Sequence, residues 1–393
     1  MVLVSTRSLQ RMGLIATAIG FLIGGLATSA NALQLSETAG SESVVIVRGK
    51  IIDSAGKPAR SAEVHLYVDP ASTQNLIEGQ AVNSSPISSV RTDSNGEYAV
   101  QLSSTSNSIK DAGTSERASL IALVEYNGHR FVRHIQPRIT YASTLSKTEG
   151  GTSVRNASLP QADIQLGDPL ANIANRSEQG ASTARGLPAT TVMNVKVIKD
   201  YGGRSVTVGT WSSDISNVTS RFTYSKGAES TLGIASSVSG KAGTFTVGES
   251  KRITSQGSVG FGTQKGAGGW QYKTQFRYQK KHYKWCAGFT CSESFRIEPV
   301  AWLGGATIAK SPKYSATHCV KHQKNTDFTL DKSAAWTFSA GVSVGGMTKV
   351  ALSSQTGYNS STKQTVAFGQ RAYLCGKKSA PGLKPGAIRA KKW

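Results

Sequence analysis

Short runs in which apolar and polar residues alternate recur through the first half of the chain. Val44–Ile52 and Glu63–Val68 alternate in this way, and Leu120–Tyr126 and residues 130–135 are further runs rich in residues that favour β-structure. Alternation with a period of two is typical of β-strands that bury one face. Residues that favour turns, such as Asp, Ser and Gly in 53–56, separate the runs. The pattern predicts a compact β-sandwich that ends near residue 166.

The same period continues in the second half, in segments rich in Thr, Ser, Val and Gly. Apolar residues occupy almost every second position of 336–352, which predicts one long strand or a hairpin that turns at residues 345–346. A similar block covers residues 222–261, with a turn predicted at 239–243. The fold class that we predict for the whole chain is therefore all-β.

Two turn motifs and a strand motif add detail in the first half. In sequence they are Gly49-x-Ile51-x-Asp53-x-x-Gly56-x-Pro58, Ala62-x-Val64-x-Leu66 and Thr92-Asp93-Ser94-Asn95-Gly96-Glu97-Tyr98. These spacings resemble the carboxypeptidase regulatory-like family, a small transthyretin-like β-sandwich found as an accessory module in secreted and cell-surface proteins. The resemblance covers residues 44–102, extends toward Leu166 and implies a fold rather than an activity. Gly56 and Gly96 are expected to take positive φ at the turns.

The first 32 residues have the pattern of a removable secretory signal. Arg7 and Arg11 precede the apolar stretch 12–26, and the small residues Ala30 and Ala32 mark a cleavage site. The rival interpretation is an uncleaved anchor, which is disfavoured because a spanning helix needs roughly 20 apolar residues. We therefore expect a secreted protein, extracellular or associated with the cell envelope, with no transmembrane helix in the mature chain.

The remaining chain divides by composition. We predict a sandwich over residues 33–166, a linker over 167–191, a separate basic β-rich domain over 192–375 and a basic flexible tail over 376–393. The linker is rich in Ala, Asn, Ser and Gly without a sustained period. Residues 71–89 are a polar insertion into the family pattern and are predicted to form a loop.

Charge is concentrated in the second half. Residues 193–393 hold 29 Lys and Arg against 8 Asp and Glu, a net charge of +21, whereas residues 1–192 have a net charge of +1. A field of one sign attracts polyanions and speeds their encounter with the surface. We expect the partner to be an anionic polymer (a wall polymer or an acidic glycan) or anionic lipid headgroups, and nucleic acid ranks below them.

The cysteines are an even set, which favours two disulfides in an exported chain. They are Cys286, Cys291, Cys319 and Cys375. Three pairings are possible, and we favour Cys286 with Cys291 and Cys319 with Cys375. The alternative is a zinc site with His318 or His322, disfavoured because no paired C-x-x-C spacing is present. We expect no cofactor and no metal.

Two basic stretches are the candidate binding residues. In the first, cations alternate with aromatic residues that can stack on the rings of a sugar or base. In the second, the tail can act as a mobile electrostatic arm or merely as a solubilising terminus. An ordinary strand with its rings packed inward produces the first pattern as well. The candidates are Lys273, Arg277, Lys280, Lys281, Tyr283, Lys284, Trp285, Lys377, Lys378, Lys391 and Lys392.

The sequence favours a non-catalytic binding protein, but two other classes stay open. The first is an aerolysin-like β-pore-forming protein that oligomerises and inserts amphipathic hairpins. It matches no motif of such proteins, and Glu249 and Lys251 would place charge on a lipid-facing surface. The second is a secreted hydrolase. It is disfavoured because no H-E-x-x-H or G-x-S-x-G motif is present and acids are scarce in the basic half.

Overall fold

The fold is known from a computed structural model of the chain. We describe residues 44–70, 75–103, 119–137, 162–166, 172–173, 192–237, 245–287, 290–331, 336–342, 352–356, 361–383 and 386–393. Their regular elements are 24 β-strands, which confirms the all-β prediction. Among the described residues, no helix has the length and apolar composition needed to cross a membrane. The predicted signal peptide, most of the predicted linker and residues 104–118 lie outside the described residues.

The first half forms two sheets around one core. Its strands are β1 (Val44–Ile52), β2 (Glu63–Val68), β3 (Ala81–Ser84), β4 (Ser88–Arg91), β5 (Glu97–Ser103), β6 (Leu120–Tyr126), β7 (His129–Ile135), β8 (Ile164–Gln165) and β9 (Asn172–Ile173). One sheet has the order β5-β1-β8 and the other β4-β2-β6-β7. Val47 and Val100 of the first sheet pack with Leu66 and Val124 of the second. We call this part the sandwich.

The turns of the sandwich have the chemistry that the sequence predicts. Asp93 Oδ1 accepts hydrogen bonds from the backbone N–H groups of Asn95 and Glu97, both at 2.8 Å. Gly96 has φ of 75° and Gly56 has φ of 77° at the equivalent place in the first turn. A carboxylate that satisfies its own backbone and a glycine that accepts a left-handed conformation together close each turn.

The second half contains a large sheet and a small sheet. Its strands are β10 (Val192–Ser213), β11 (Val218–Tyr224), β12 (Glu229–Ser237), β13 (Thr246–Thr254), β14 (Val259–Gly260), β15 (Gln264–Lys265), β16 (Gly268–Ala287), β17 (Thr290–Lys310), β18 (His318–His322), β19 (Thr326–Leu330), β20 (Trp336–Val342), β21 (Leu352–Thr356), β22 (Thr362–Phe368), β23 (Ala372–Gly376) and β24 (Ile388–Lys392). The large sheet has the order β18-β23-β24-β10-β16-β17-β12-β21-β20, with β3, β9 and β13 paired beside it. The small sheet has the order β14-β11-β22-β19, with β15 paired to β11. The two sheets share a core that includes Trp211, Phe222 and Tyr272.

Two antiparallel hairpins occupy the blocks that the sequence singled out. β12 pairs with β13 from Glu229↔Thr254 to Ser236↔Thr246. β20 pairs with β21, which agrees with the hairpin interpretation of residues 336–352 rather than with one long strand. The turns predicted at 239–243 and 345–346 lie outside the described residues.

The two halves are joined by a strand pair and by a shared apolar cluster. β3 pairs with β10, so that part of the insertion predicted as a loop is instead a strand of the large sheet. Tyr67, Ile121 and Val132 of the sandwich pack with Met193 and Trp285 of the second half. The predicted domain boundaries stay a prediction, but the halves touch through both hydrogen bonds and buried side chains.

The end of the chain differs from the predicted flexible tail. β24 lies inside the large sheet, between β23 and β10. Ile388 and Ala390 are fully buried, and Ala387 is nearly so. These alternate apolar residues explain the difference, because a strand that buries one face is stabilised by the sheet even when its other side chains are Arg and Lys.

Both disulfides have the pairing that we favoured. Cys286 is bonded to Cys291 near the hairpin turn between β16 and β17, and Cys319 of β18 is bonded to Cys375 of β23. In each pair the two cysteines face each other in register on neighbouring antiparallel strands. No free cysteine is found.

Candidate functional site

The basic aromatic stretch lies on β16, and each face of this 20-residue strand is covered over a different part of its length. Tyr272, Phe276 and Tyr278 point into the core between the large and small sheets. Farther along, Tyr283 and Trp285 on the opposite face pack against the sandwich. The alternation predicted from sequence is therefore correct, but it gave no sign that the second face is covered as well.

Three of the predicted binding residues are closed to an external ligand. Lys281, Tyr283 and Trp285 all have 0% exposed surface. The Lys281 ammonium donates to Glu298 Oε1 at 2.7 Å, and the Tyr283 hydroxyl donates to the same oxygen at 3.0 Å. We remove these three residues from the candidate binding surface, because the sandwich covers them.

The other candidates on β16 are partly engaged within the protein. Arg277 donates from Nε to Asp200 Oδ2 at 2.8 Å. The Lys280 ammonium lies 5.5 Å from the centre of the Phe245 ring. Lys273 and Lys284 are half-buried. This stretch therefore presents cations but no open ring to a ligand.

The covered face of β16 belongs to a buried ion-pair network between the halves. Lys251 donates to Asp69 Oδ2, and His134 Nε2 lies 3.0 Å from the same oxygen. Arg296 pairs with Glu249, whose Oε2 also accepts from the His134 backbone N–H at 3.3 Å. The members of the network are Asp69, Arg133, His134, Glu249, Lys251, Lys281, Arg296 and Glu298.

The electrostatics of this network favour its charged state. Burial alone would raise the pKa of Asp69, but the Lys251 ammonium and the His134 hydrogen bond hold it well below the usual range. Burial would likewise raise the pKa of Glu298, and the ammonium groups of Lys281 and Lys251 lower it instead. Carboxylates held ionised beside ammonium groups do not supply a proton near neutral pH. The network therefore connects the two halves of the structure and is not suited to acid–base chemistry.

Among the described residues, no group of three or more His, Cys, Asp or Glu is placed to hold a metal ion. The buried network mixes carboxylates with ammonium and guanidinium groups, which repel a cation. Its unpartnered atoms within the described chain include Arg296 Nε and Nη1 and Glu298 Oε2. Buried polar atoms of this kind are usually satisfied by internal water.

A second cluster of cations lies at the end of the large sheet, where β18, β23 and β24 are neighbours. Lys321, Tyr373 and Lys391 face one another in register across the three strands. Residues in register point to the same face, so the side chains of Lys321 and Lys391 flank that of Tyr373, with neighbouring Cβ atoms about 5 Å apart. Trp393 follows β24, and its ring is 5.6 Å from that of Tyr373.

Cations also surround the Trp393 ring. The Lys321 ammonium is 5.2 Å from the ring centre and the Arg371 guanidinium is 5.9 Å from it. Trp393 remains 43% exposed, and Lys321 and Arg371 are exposed as well. We call Lys321, Arg371, Tyr373, Lys391 and Trp393 the corner face.

Of the predicted binding residues, the structure places two at this corner and two at the opposite end of β23 and β24. Lys391 belongs to the corner face, and Lys392 is the exposed residue beside it on β24. Lys377 and Lys378 are exposed in the turn between β23 and β24, at the far end of those strands. Sequence reasoning missed Lys321, Arg371, Tyr373 and Trp393. The only local signal was a Trp next to two Lys, since residues 321, 371 and 393 are brought together by the sheet order alone.

Other exposed cations lie on the outer face of the small sheet. Arg221, Lys265 and Lys363 are exposed there. Arg221 faces Thr365, Lys265 faces Thr219, and Lys363 faces Thr223. The cations of the basic half are therefore spread over at least two faces, and the small-sheet cations face threonines where the corner face has rings.

Comparison with known proteins adds little. No protein-family model and no curated protein matches the chain. Four solved chains match, one of them catechol 1,2-dioxygenase from Acinetobacter sp. ADP1 inhibited by bound mercury. That match has 16% identity and a TM-score of 0.18, and it covers 33% of this chain and 54% of the dioxygenase chain. A similarity this weak supports no inference about fold or function, and the resemblance of the sandwich to the carboxypeptidase regulatory-like family stays a prediction.

Proposed function

We propose that this protein is a non-catalytic binding protein that attaches through the corner face to an anionic polymer of the cell envelope. One observation carries the proposal: an exposed Trp393 ring that stacks on Tyr373 and has Lys321 and Arg371 beside it. Rings held against cations form a surface that is both charged and rigid, which is what recognition of a sugar-containing polyanion requires.

The mechanism is multipoint contact. Lys321, Arg371 and Lys391 neutralise anionic groups of the polymer, and the guanidinium of Arg371 can bind a phosphate, sulfate or carboxylate through two parallel hydrogen bonds. The Tyr373 and Trp393 rings fix where these side chains lie and offer edges to a sugar. The surrounding positive charge of the second half speeds encounter. Binding of this kind weakens as salt rises, because the charges are exposed.

Export is part of the proposal and rests on the signal pattern at the start of the chain. The sandwich then serves as a spacer or docking module, as the resemblance to accessory modules of secreted proteins suggests. Pore formation by the β12–β13 hairpin is not proposed. Glu249 and Lys251 of β13 are both paired in the ion-pair network, and insertion would first have to separate these charges from their partners.

The test is a pulldown of the mature protein against envelope sacculi, anionic liposomes and DNA at low and high salt. We expect the strongest retention on sacculi, and we expect that retention to fall steeply at high salt. Trp393→Ala should release much of the bound protein, whereas Leu303→Ala, which truncates another exposed apolar side chain (51% exposed), should not. Stronger retention on liposomes or DNA, or retention that is equal at both salt concentrations, would contradict the proposal.

A further inference from the structure

The strand that presents Lys321 is almost entirely exposed. His318, Cys319, Val320 and Lys321 are all exposed in β18, and only His322 is half-buried. Val320 lies on the core-facing side and still has 39% of its surface exposed. A strand that buries so little apolar surface gains little stability from the hydrophobic effect.

The position of β18 in the sheet adds to this weakness. β18 is the edge strand of the large sheet and is paired with β23 alone, over five residues. Edge strands of this length exchange and fray readily unless something else holds them. Two of the further contacts of β18 fix it more firmly. The His322 ring stacks on Phe368 at 4.4 Å, and Cys319 is bonded to Cys375.

The Cys319–Cys375 disulfide lies next to Lys321 of the corner face. Cys319 and Lys321 are two residues apart on one strand, so both side chains point to the outer face of the sheet. Cys375 and Tyr373 have the same relation on β23, and the two pairs are in register. The covalent bond therefore fixes the strand one step away from the Lys321 contact with Trp393.

We propose that the Cys319–Cys375 disulfide is a positioning element of the corner face, which holds β18 on the sheet and thereby keeps Lys321 beside Trp393. The inference rests on the proposed function. Closing a loop of 56 residues removes considerable freedom from the unconstrained chain. Without the bond, β18 would separate from β23 for part of the time, and Lys321 would leave the corner face with it.

The second disulfide provides a matched control. Cys286 and Cys291 are also in register on neighbouring strands, but their hairpin is held by a ladder that runs from Trp270↔Lys310 to Ala287↔Thr290. The β16 side of this ladder is buried against two cores. Loss of the Cys286–Cys291 bond should therefore leave the hairpin in place.

The experiment compares Cys319→Ser/Cys375→Ser with Cys286→Ser/Cys291→Ser in the full chain. Hydrogen exchange of the β18 amides should become at least tenfold faster in the first variant and remain unchanged in the second. Retention on sacculi should fall in the first variant to the level of Lys321→Gln and stay at the wild-type level in the second. Near-UV circular dichroism verifies that both variants keep their packed cores.

Combining Lys321→Gln with the loss of the Cys319–Cys375 disulfide shows whether the disulfide acts by positioning Lys321 or only by stabilising the fold. Lys321→Gln should reduce retention of the wild type but add almost nothing in the Cys319→Ser/Cys375→Ser background, because Lys321 is already displaced there. Unchanged β18 exchange, or a full additional loss on Lys321→Gln, would overturn the inference. If the wild type itself is not retained, the proposed function fails, and the exchange data alone decide whether the disulfide holds β18.

Discussion

At the scale of single residues, the Lys281–Glu298 pair of the buried ion-pair network leads to a prediction about stability. Lys281 and Glu298 are both 0% exposed and bonded to each other at 2.7 Å. Lys281→Met should lower the free energy of unfolding by about 3–5 kcal/mol, because the buried Glu298 carboxylate loses the ammonium group to which it is hydrogen-bonded. Lys281→Met/Glu298→Leu should recover most of this loss.

Urea unfolding measures these changes. Lys226→Met, at an exposed position of the same half, is the control and should change stability by less than about 0.5 kcal/mol. Equal effects of Lys281→Met and Lys226→Met would contradict the burial of the pair.

The same network predicts how stability depends on pH. The folded-state pKa values of Asp69 and Glu298 lie below the ordinary values of 3.8 and 4.5. In the window between folded and unfolded values the unfolded chain binds more protons, so stability increases with pH there. The contribution of both groups is complete above the ordinary values and is lost as pH falls through the lowered ones.

Urea unfolding at a series of pH values between about 2 and 7 tests this sign. Wild-type stability should fall as pH drops below about 4. Asp69→Asn should be less stable at neutral pH and show a shallower decline in acid, because one of the titrating groups has been removed. An identical pH slope for Asp69→Asn and the wild type would show that Asp69 does not contribute.

At the scale of elements, two glycines in equivalent turns allow two costs of a glycine-to-alanine replacement to be compared. One cost comes from the backbone conformation and the other from steric crowding. Gly56 and Gly96 have nearly the same positive φ. A Cβ atom added at Gly56 would meet nothing within 4 Å, whereas one at Gly96 would lie 2.5 Å from the Ile51 carbonyl oxygen. Gly56→Ala should therefore cost about 1–2 kcal/mol from conformation alone. Gly96→Ala should cost about 1–3 kcal/mol more.

Thermal or urea unfolding of the two variants provides the comparison. A larger loss for Gly56→Ala than for Gly96→Ala would contradict the close packing of the second turn on β1.

The strands could be predicted from the sequence more readily than the elements that bury each face of a strand. The alternation of 270–278 was correctly assigned, because a period of two is a property of the strand itself. The burial of Tyr283 and Trp285 was not predicted, because it depends on Tyr67, Ile121 and Val132, which belong to the sandwich. β24 was mistaken for a tail for a related reason. Its five residues contain only two that are buried, and their partners lie on β10 and β23.

At the scale of the whole molecule, the two halves are predicted to unfold together. They share the strand pair β3–β10, the apolar cluster around Trp285 and the buried ion-pair network. Separating them would expose paired charges and fully buried rings at once. Calorimetry should therefore show one transition, with calorimetric and van't Hoff enthalpies in agreement. Two resolved transitions would mean that the sandwich and the basic half are independent units.

The candidate site is also a property of the whole molecule. The charge of the second half indicated an anionic partner, but charge alone does not say which face binds it. The corner face combines Lys321, Arg371 and Trp393, which are 50 and 22 residues apart along the chain. Only the sheet order β18-β23-β24 brings them together, and no local pattern in the sequence encodes that order.

The central claim is that the corner face, rather than overall positive charge, holds the polymer. Elution from a column of immobilised sulfated glycan in a salt gradient tests it most directly. Two triple variants each remove three positive charges: Lys321→Gln/Arg371→Gln/Lys391→Gln on the corner face, and Lys226→Gln/Lys265→Gln/Lys363→Gln elsewhere on the same half. We predict that the corner-face variant elutes at clearly lower salt than the wild type and that the other triple variant elutes close to the wild type. Elution of both variants at the same salt concentration would contradict it.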